Sequence, residues 1–351
     1  MVRFLQLHLL TFYPPANLNR DDTGRPKSAV VGGEPRLRVS SQALKRAWRT
    51  SDIFRTALDG HMGSRTQRMG EEIVRHLISR GVASETALKV TREIVPLFGK
   101  IKAEQDSTRT EQLAFISPAE KQAACELAER LAAGEKIKVE ASAILQRTDT
   151  AADIAMFGRM LADNAEFNRE AAVQVAHAIT THRVIVEDDY YTAVDDLKKP
   201  SEDAGAGFVG EAAFGSGVFY LYACIDRALL TRNLGGDSAL ADIAIGALIE
   251  AAATVSPRGK QNSFAALGRA HYILAEAGNA QPRTLAGAFA RPVVGEGLMA
   301  PSIVALRDFR TKMGAAYGAS CDGEAEMNVL EGTGSLASLL AFARGLAPAN
   351  A

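Results

Sequence analysis

Cysteine is scarce in this chain: its 351 residues include only three, Cys125, Cys224 and Cys321, which lie far apart. An odd number of cysteines at these spacings supplies neither a disulfide framework nor a Cys-x-x-Cys metal site. Such cysteine usage is typical of proteins from a reducing cytosol. We therefore expect a cytoplasmic location, and we predict neither a cofactor nor a bound metal.

Long apolar runs are also missing, because no stretch of 18 consecutive apolar residues occurs. This excludes a transmembrane helix of ordinary length. The N-terminal sequence MVRFLQLHLLTFYPP contains a short apolar stretch, but Gln6 and His8 interrupt it and no small-residue cleavage site follows. It therefore lacks the pattern of a signal peptide, and we expect no membrane partner.

The chain has no large excess of charge of either sign, with a formal net charge of −1 and a pI near 6.6. This composition falls short of the basic signature of a typical nucleic-acid-binding domain. Any nucleic-acid surface must therefore be a basic stripe that acidic residues elsewhere offset. Segment 187–203 provides such an offset, because against Lys198 and Lys199 it holds seven acidic residues: Glu187, Asp188, Asp189, Asp195, Asp196, Glu202 and Asp203.

A basic stripe is present at residues 36–49, which hold five basic residues and no acidic one. Its first part, Arg36-Leu37-Arg38-Val39, alternates basic and apolar residues and predicts a half-buried strand or an extended arm. Ser40 and Ser41 are candidate N-caps for a helix over residues 42–49. At about 100° per residue, Leu44, Ala47 and Trp48 share one face of this helix, and the opposite face carries Gln42, Lys45, Arg46 and Arg49.

Such a helix packs inward on its apolar side. Its other side presents cations beside a positively polarised N-terminus with two serine hydroxyls. That set of groups suits a chain of phosphates. A simpler interpretation is the solvated basic face of an ordinary surface helix, and the residues alone leave both open.

Hydrophobic periodicity predicts the remaining elements. Residues 2–12 alternate as a first strand that ends at Tyr13-Pro14-Pro15, with His8 as a hydrogen-bonded structural histidine on a polar side that is partly open or functional. Residues 51–134 turn helical and look like an insertion. Strands are predicted at 151–160, 170–186 and 271–274, helices at 237–255 and 301–313, and a short docked helix in the tail.

Isolated basic residues outside the stripe are weaker candidates. Arg159 is a possible phosphate ligand, although isolated arginines are usually surface residues. The glycine turn 256–262 contains Arg258 and Lys260 but lacks the Walker pattern, so a nucleotide-triphosphate loop is unsupported. These two cations could grip backbone phosphate or belong to an ordinary solvated turn.

A long hairpin is predicted at residues 195–217, between strand candidates at 190–194 and 218–222. The segment is rich in glycine, alanine and acidic residues, and Phe208 and Val209 are expected near its tip. An apolar pair at the end of a protruding loop needs a partner. It could wedge between bases or dock on a neighbouring subunit.

The order of these elements fits an α+β fold, a modified ferredoxin-like (RRM-type) palm with a helical insertion and a long β-hairpin. Six segments carry a family resemblance: NLNRDD, Gly32-Gly33, RLRVSSQALKRAWR, AHAITTH, TAVDDL and GSGVFY. From about residue 1 to 320 the chain resembles the CasC-type backbone subunit of the type I-E CRISPR surveillance complex Cascade. This is the seventh core Cas family, within the RAMP superfamily.

The resemblance implies a non-catalytic protein whose copies oligomerise along CRISPR guide RNA, line target DNA and assemble with other Cascade subunits. It divides the chain into a palm (1–50, 149–194 and 218–320), helical fingers (51–148), a hairpin thumb (195–217) and a tail (321–351). Val209 falls on the thumb's apolar wedge beside Phe208, and the segment after Met160 supplies the opposing wedge. The backbone-binding residues of the family fall on Arg20, Ser40, Gln42, Lys45 and Arg49, the last of which is a lysine in the familiar pattern.

The predicted RNA-binding set combines the resemblance with the basic helix and turn. It consists of Arg20, Ser40, Ser41, Gln42, Lys45, Arg46, Arg49, Arg159, Met160, Arg258 and Lys260. No RNP aromatic motif is visible, so base reading by stacking is not expected. This suits a protein that coats any guide sequence through its backbone.

Two other functions remain open. The first is a metal-dependent RNA endonuclease, because Asp21 and Asp22 could hold Mg²⁺ beside Arg20. A catalytic site needs a converging set of ligands, however, and no third one is evident. These carboxylates therefore more readily satisfy loop amides or an arginine. The second is a scaffold that binds only proteins.

Overall fold

The computed structural model describes residues 2–103, 107–193, 196 and 208–346. This part of the chain has a mixed α+β fold, as the sequence predicts. None of its helices is long and apolar enough to cross a membrane. The strands are β1 (Phe4–Ala16), β2 (Ser28–Val31), β3 (Glu34–Val39), β4 (Ser64–Thr66), β5 (Ala114–Ile116), β6 (Val173–Val175), β7 (Ala178–Thr180), β8 (Glu187–Ala193), β9 (Phe208–Asp226), β10 (Ala270–Gly278) and β11 (Gly323–Asn328).

Helices alternate with these strands along the chain. They are α1 (Ser41–Arg49), α2 (Asp52–Ala57), α3 (Met69–Ser79), α4 (Ser84–Ile94), α5 (Pro118–Ala132), α6 (Ala152–Phe157), α7 (Arg227–Asn233), α8 (Ser238–Thr254), α9 (Gln261–Phe264), α10 (Met299–Tyr317) and α11 (Leu336–Gly345). The predicted helices at 237–255 and 301–313 and the docked helix in the tail are confirmed as α8, α10 and α11. Asp237 caps α8 by accepting a hydrogen bond from Leu240 N at 2.9 Å.

Nine strands form one antiparallel sheet in the order β11-β10-β1-β9-β7-β3-β2, and β6 and β8 also pair with β9. β1 lies at the centre, between β10 and the long β9. One face of the sheet carries Leu5, Leu7 and Leu9 into a core shared with Trp48 of α1 and Leu248 of α8. The sheet therefore fixes α1 against the N-terminal strand.

The opposite face of the sheet is also buried, because the 285–309 segment with α10 covers it. His8 is fully buried and contacts Tyr220 Oη at 2.9 Å and Glu276 Oε2 at 3.2 Å. The prediction of a hydrogen-bonded structural histidine is confirmed, whereas the prediction of a partly open polar side was wrong. Burial opposes ionisation of Glu276, but hydrogen bonds from His8, Arg283 and Arg310 outweigh it and hold the pKa of this carboxyl well below its usual range.

The helices α3, α4 and α5 build a second core that is separate from the sheet. Ile73, Leu77, Ile94 and Leu127 are among its buried members. The prediction that residues 51–134 turn helical is confirmed by these helices. α5 begins with a capping box, in which Ser117 Oγ accepts from Glu120 N and Glu120 Oε2 accepts from Ser117 N.

Four secondary-structure predictions need correction. Residues 151–160 contain helix α6 instead of a strand, because a short buried run that is apolar except for Asp153 fits either element, and Gly158 at φ +78° ends it. β1 continues past Pro14 and Pro15. A register shift between Tyr13 and Ala16 accommodates these two prolines, which have no N–H to donate to the neighbouring strand. The 170–186 strand is limited to β6 and β7, and edge strand β11 was not predicted.

Candidate nucleic-acid interface

Helix α1 has the two faces that the sequence predicts. Leu44, Ala47 and Trp48 are buried, while Gln42 and Arg46 are exposed. Ser40 is the N-cap, because its hydroxyl accepts from Ala43 N at 3.4 Å and its own N–H donates to Asn19 Oδ1 at 2.8 Å. Asn19 therefore ties the N-terminus of α1 to the loop that carries Arg20.

The structure brings three predicted residues into one groove of about 880 Å³. Arg20 enters it from the loop after β1, Arg46 from α1 and Arg258 from the turn after α8. Arg55 of α2 also lines this groove and was not predicted. Asp21 and Asp22 line the groove as well. Each of its four guanidinium groups offers several donors in a fixed planar fork, a geometry that matches phosphate oxygens. We call this set the arginine groove.

The turn that carries Arg258 is held closely against Asn17 and Leu18, which directly follow β1. Arg258 Nη2 donates to Thr50 O at 3.0 Å, at the C-terminus of α1, where a cation is favoured by the helix dipole. Gly259 allows this approach, because a β-carbon there would lie 2.3 Å from Leu18 O and 2.4 Å from Asn17 O. Lys260 begins α9 at φ +44° and is not among the residues lining the groove.

Gly259→Ala is expected to push this turn away from β1 and to withdraw Arg258 from the groove. Overpacking against fixed backbone should cost about 1–3 kcal/mol of stability and weaken binding of single-stranded RNA. Urea unfolding and fluorescence anisotropy measure the two effects. Gly314→Ala in α10 is the control, since a β-carbon there meets nothing within 4 Å. Equal stability and RNA affinity in the two variants would show that the close approach is unimportant.

Asp21 shapes the Arg20 loop. Its Oδ1 accepts hydrogen bonds from the Thr23 hydroxyl at 2.8 Å, from Thr23 N at 2.9 Å and from Arg25 N at 2.9 Å. The Thr23 hydroxyl and these amides hold the pKa of Asp21 below its usual range. The prediction that this carboxylate satisfies loop amides is confirmed, and Asp22 is exposed beside it.

The remaining cations of α1 lie against aromatic rings of neighbouring elements. Lys45 Nζ lies 5.8 Å from the centroid of the Phe157 ring, and Arg49 Cζ lies 5.1 Å from that of Phe115. Burial lowers the pKa of Lys45. Arg49 Nη1 also lies 3.4 Å from Asp153 Oδ2. Each cation is thus held over a ring face that leaves its polar end available.

Arg159 does not belong to this surface, contrary to the sequence-based assignment. Its side chain is 1% exposed and pairs with the buried Glu120 at 2.6 Å. It also donates to the carbonyl oxygens of Phe115, Gln146 and Phe167. Arg159 is therefore a structural residue, and the exposed side chain in this loop is its neighbour Met160, at 81% exposure.

Two other arginines of the basic stripe, Arg36 and Arg38, make contacts away from this surface. Arg36 is buried and donates to Thr180 O and Phe289 O, at 3.1 and 3.0 Å. Arg38 contacts His177 Nδ1 at 2.7 Å. The stripe read from the sequence is therefore reduced to Lys45, Arg46 and Arg49, and the other cations of the site come from distant segments.

Phe208 and Val209 lie in the β8–β9 ladder, where they pair with Ala193 and Thr192. They are the last described residues of β9 toward the predicted tip, and residues 197–207 lie outside the described residues, so their place near the hairpin tip stays a prediction. Successive strand residues point to opposite faces, so this pair is divided between two faces. Phe208 lies 6.1 Å from the Tyr191 ring, and both rings are about half exposed.

Within residues 2–103, 107–193, 196 and 208–346, ligand atoms of Glu276, Cys321 and Glu324 lie within 4.8 Å of one another. Arg310 donates to both carboxylates, however, and already supplies the positive charge there. A metal would have to displace this guanidinium, and the cluster lies on the sheet face opposite α1.

Comparison with known proteins identifies the family. A family model described as "CT1975-like protein" matches residues 5–339. The chain belongs to this family. No curated protein matches it. A chain from the solved structure "CRISPR RNA-guided surveillance complex, pre-nicking" is 28% identical, with a TM-score of 0.85 over 97% of this chain and 100% of that chain.

A second structural match of this CT1975-like chain points the same way. It is to a chain of a "CRISPR RNA-guided surveillance complex", with 26% identity and a TM-score of 0.56 over 96% of this chain and 92% of that chain. The resemblance to CasC-type backbone subunits is confirmed. Both matched chains are components of assemblies that an RNA guides.

Sequence reasoning missed four side chains of the candidate site: Arg55, Phe115, Asp153 and Phe157. Each comes from an element outside the basic stripe and reaches α1 only through tertiary packing. Arg55 offered one local signal, because it lies on α2, the helix that directly follows the stripe. No comparable pattern marks the two phenylalanines, since apolar residues usually belong to a core.

Proposed function

We propose that this chain is a non-catalytic backbone subunit of a type I-E Cascade antiviral complex, which binds CRISPR guide RNA, oligomerises along it and lines target DNA. The arginine groove carries this proposal, together with Lys45 and Arg49 on the adjoining side of α1. These cations come from four segments of the chain and meet along one helix. Among them, Arg20, Lys45 and Arg49 lie at positions where the resemblance places contacts to the RNA backbone.

Contacts to phosphate without contacts to base edges make binding independent of sequence. The groups assembled here are suited to that task, because they are cations and a helix N-terminus. The exposed Ser41 and Gln42 region at the start of α1 adds hydroxyl and amide donors beside the basic side chains. We infer that the palm, built on the central sheet as in a ferredoxin-like domain, holds the guide through its backbone.

The hairpin supplies the second half of the proposal. All seven residues of β8 are exposed, and β8 pairs only with β9 among the described strands. A two-stranded ribbon without a core is marginally stable in water, so its partner surfaces should lie outside this chain. Arg25 pairs with Asp188 at 2.8 Å and ties the base of the ribbon to the Arg20 loop. We propose that the ribbon is the thumb that reaches the neighbouring copy and its RNA.

Mixing the purified chain with RNAs of unrelated sequence and increasing length tests the function. The number of copies per RNA, measured by mass photometry, should increase stepwise with length, and affinities for different sequences of one length should agree. The RNA should stay intact with Mg²⁺. Release of cleaved RNA that is lost in Asp21→Ala/Asp22→Ala would support the endonuclease instead, and absence of any RNA binding would support a scaffold for proteins only.

Phe208→Ser is expected to weaken assembly on long RNA by about tenfold, which is typical for truncating an aromatic anchor at an interface. Because Phe208 is 56% exposed, the melting temperature should hardly change. Val304→Ser in α10 is the control, as it removes an apolar side chain of 64% exposure away from the ribbon. Equal assembly by both variants would contradict the thumb assignment.

A further inference from the structure

The carboxylate of Asp153 lies directly behind the RNA-facing side of α1. Asp153 belongs to α6 and its side chain is 0% exposed. Its Oδ1 accepts from Gly63 N at 2.7 Å and from Ile154 N at 3.0 Å, while Oδ2 lies 3.4 Å from Arg49 Nη1. Two backbone amides therefore fix the carboxyl group, and Arg49 provides its cationic partner.

Arg49 is shared between this carboxylate and the surface. Its side chain is 21% exposed, and its guanidinium rests over the Phe115 ring. Nη1 lies nearest to Asp153, and part of the guanidinium side chain remains open to solvent. A phosphate that binds Arg49 therefore comes close to a second negative charge that cannot move away.

We propose that Asp153 acts through Arg49 as a proton-linked positioning residue: its carboxylate competes with the RNA phosphate for the guanidinium, and binding of RNA is accompanied by proton uptake at Asp153. This inference rests on the proposed function and adds to it a residue that does not itself touch RNA. The proposal depends on the arginine at position 49 of this chain. A flexible lysine there lacks the planar guanidinium that can bind the carboxylate at one edge and a phosphate at another.

The direction of the effect follows from charge. Burial raises the pKa of Asp153 to about 6, although the Gly63 amide and Arg49 favour the ionised form. A phosphate on Arg49 takes over part of that stabilisation and repels the carboxylate, so the pKa rises further in the complex. RNA affinity then increases as the pH falls toward 6, and it levels off once the free protein is protonated as well.

Other groups near Asp153 determine the controls. α1 contributes Lys45 and Arg49, and β5 contributes the uncharged Phe115. On the segment before Gly63, His61 O accepts from Ala152 N at 2.8 Å. Because this neighbouring segment carries a histidine, His61 needs a control of its own.

The test compares the unmodified chain with Asp153→Asn and His61→Gln, using oligouridine, whose bases do not titrate between about pH 5.5 and 8. Affinity of the unmodified chain should rise as the pH falls, by about tenfold for each unit that phosphate adds to the pKa. Calorimetry in two buffers of different ionisation enthalpy should show net proton uptake near neutral pH. Asp153→Asn should lose that uptake and bind more tightly at neutral pH, whereas His61→Gln should keep it.

A second variant, Arg49→Gln, keeps the proposal testable if Asp153→Asn does not fold. In Arg49→Gln no guanidinium links the carboxyl group of Asp153 to the phosphate, so the proton uptake should disappear too. Equal proton uptake by Asp153→Asn, His61→Gln and Arg49→Gln would overturn the proposal. Weaker RNA binding by folded Asp153→Asn at every pH would overturn it as well. If the unmodified chain binds no oligouridine, the proposed function fails as well, whereas binding without any effect of Asp153 contradicts this inference alone.

Discussion

Arg159→Met is expected to destabilise the protein by about 3–5 kcal/mol, because it leaves a buried carboxylate without its partner. Glu120 is 0% exposed, and its other hydrogen bonds come from Ser117 N and Gln146 N. The substitution removes the cation from this site, as well as three hydrogen bonds to carbonyl oxygens. Urea unfolding followed by far-ultraviolet circular dichroism measures the loss.

The double variant Arg159→Met/Glu120→Gln is the matched control. Removing both charges together should recover much of the stability, since a neutral pair carries no uncompensated buried charge. RNA affinity of the folded Arg159→Met protein should remain close to that of the unmodified chain. Unchanged stability with a large loss of RNA affinity would instead restore Arg159 as a phosphate ligand.

Charge reversal in the arginine groove is expected to have the largest effect on binding. Each lost charge-assisted hydrogen bond to phosphate costs about 1.5–3 kcal/mol, so Arg20→Glu/Arg46→Glu should weaken RNA binding at least about 100-fold. The loss should be the same for unrelated sequences. For the neutral pair Arg20→Gln/Arg46→Gln, the slope of log affinity against log salt should flatten by about 0.7 for each lost contact with single-stranded RNA.

Lys312→Glu/Arg344→Glu is the control for these variants. It reverses the same amount of charge on α10 and α11, outside the residues that line the groove. Its RNA affinity should decrease only slightly, through the change in net charge. An equal loss in both reversal variants would show that binding depends on overall charge and not on the groove.

The local part of the site was predictable from the sequence. Helix α1 has an apolar and a basic face with a serine at its start, and these features depend on residues fewer than ten positions apart. Ser40, Lys45 and Arg49 therefore take the positions that a helical wheel assigns to them. α8 was predictable for the same reason, because Asp237 caps a long run of good helix formers.

The features that the sequence did not predict depend on tertiary packing. Arg36 and Arg159 look like other surface arginines in sequence, and only carbonyl oxygens and a carboxylate from distant segments show that they are buried. Residues 152–157 are apolar except for Asp153, so their pattern carries no period that separates helix from strand. Arg258 reaches the groove because Gly259 meets the backbone of Asn17 and Leu18, a contact between segments more than 200 residues apart.

The charge balance of the chain has a similar explanation. Many of its cations form ion pairs with nearby carboxylates, as in Arg25–Asp188, Arg169–Asp149 and Arg283–Glu276. The proposed phosphate-binding surface therefore depends on the local concentration of cations around α1, although the net charge is close to zero. A strongly basic composition is not needed when basic residues from several segments meet at one helix.

Electron cryomicroscopy of the chain assembled on a single-stranded RNA tests the central claim most directly. The account predicts that the RNA backbone follows α1, with phosphates between the arginine groove and the Lys45–Arg49 side, and that α1 makes no contact with base edges. It also predicts that the ribbon of one copy reaches the next. RNA bound to another face of the sheet, or copies that bind without contacting one another, would contradict the account.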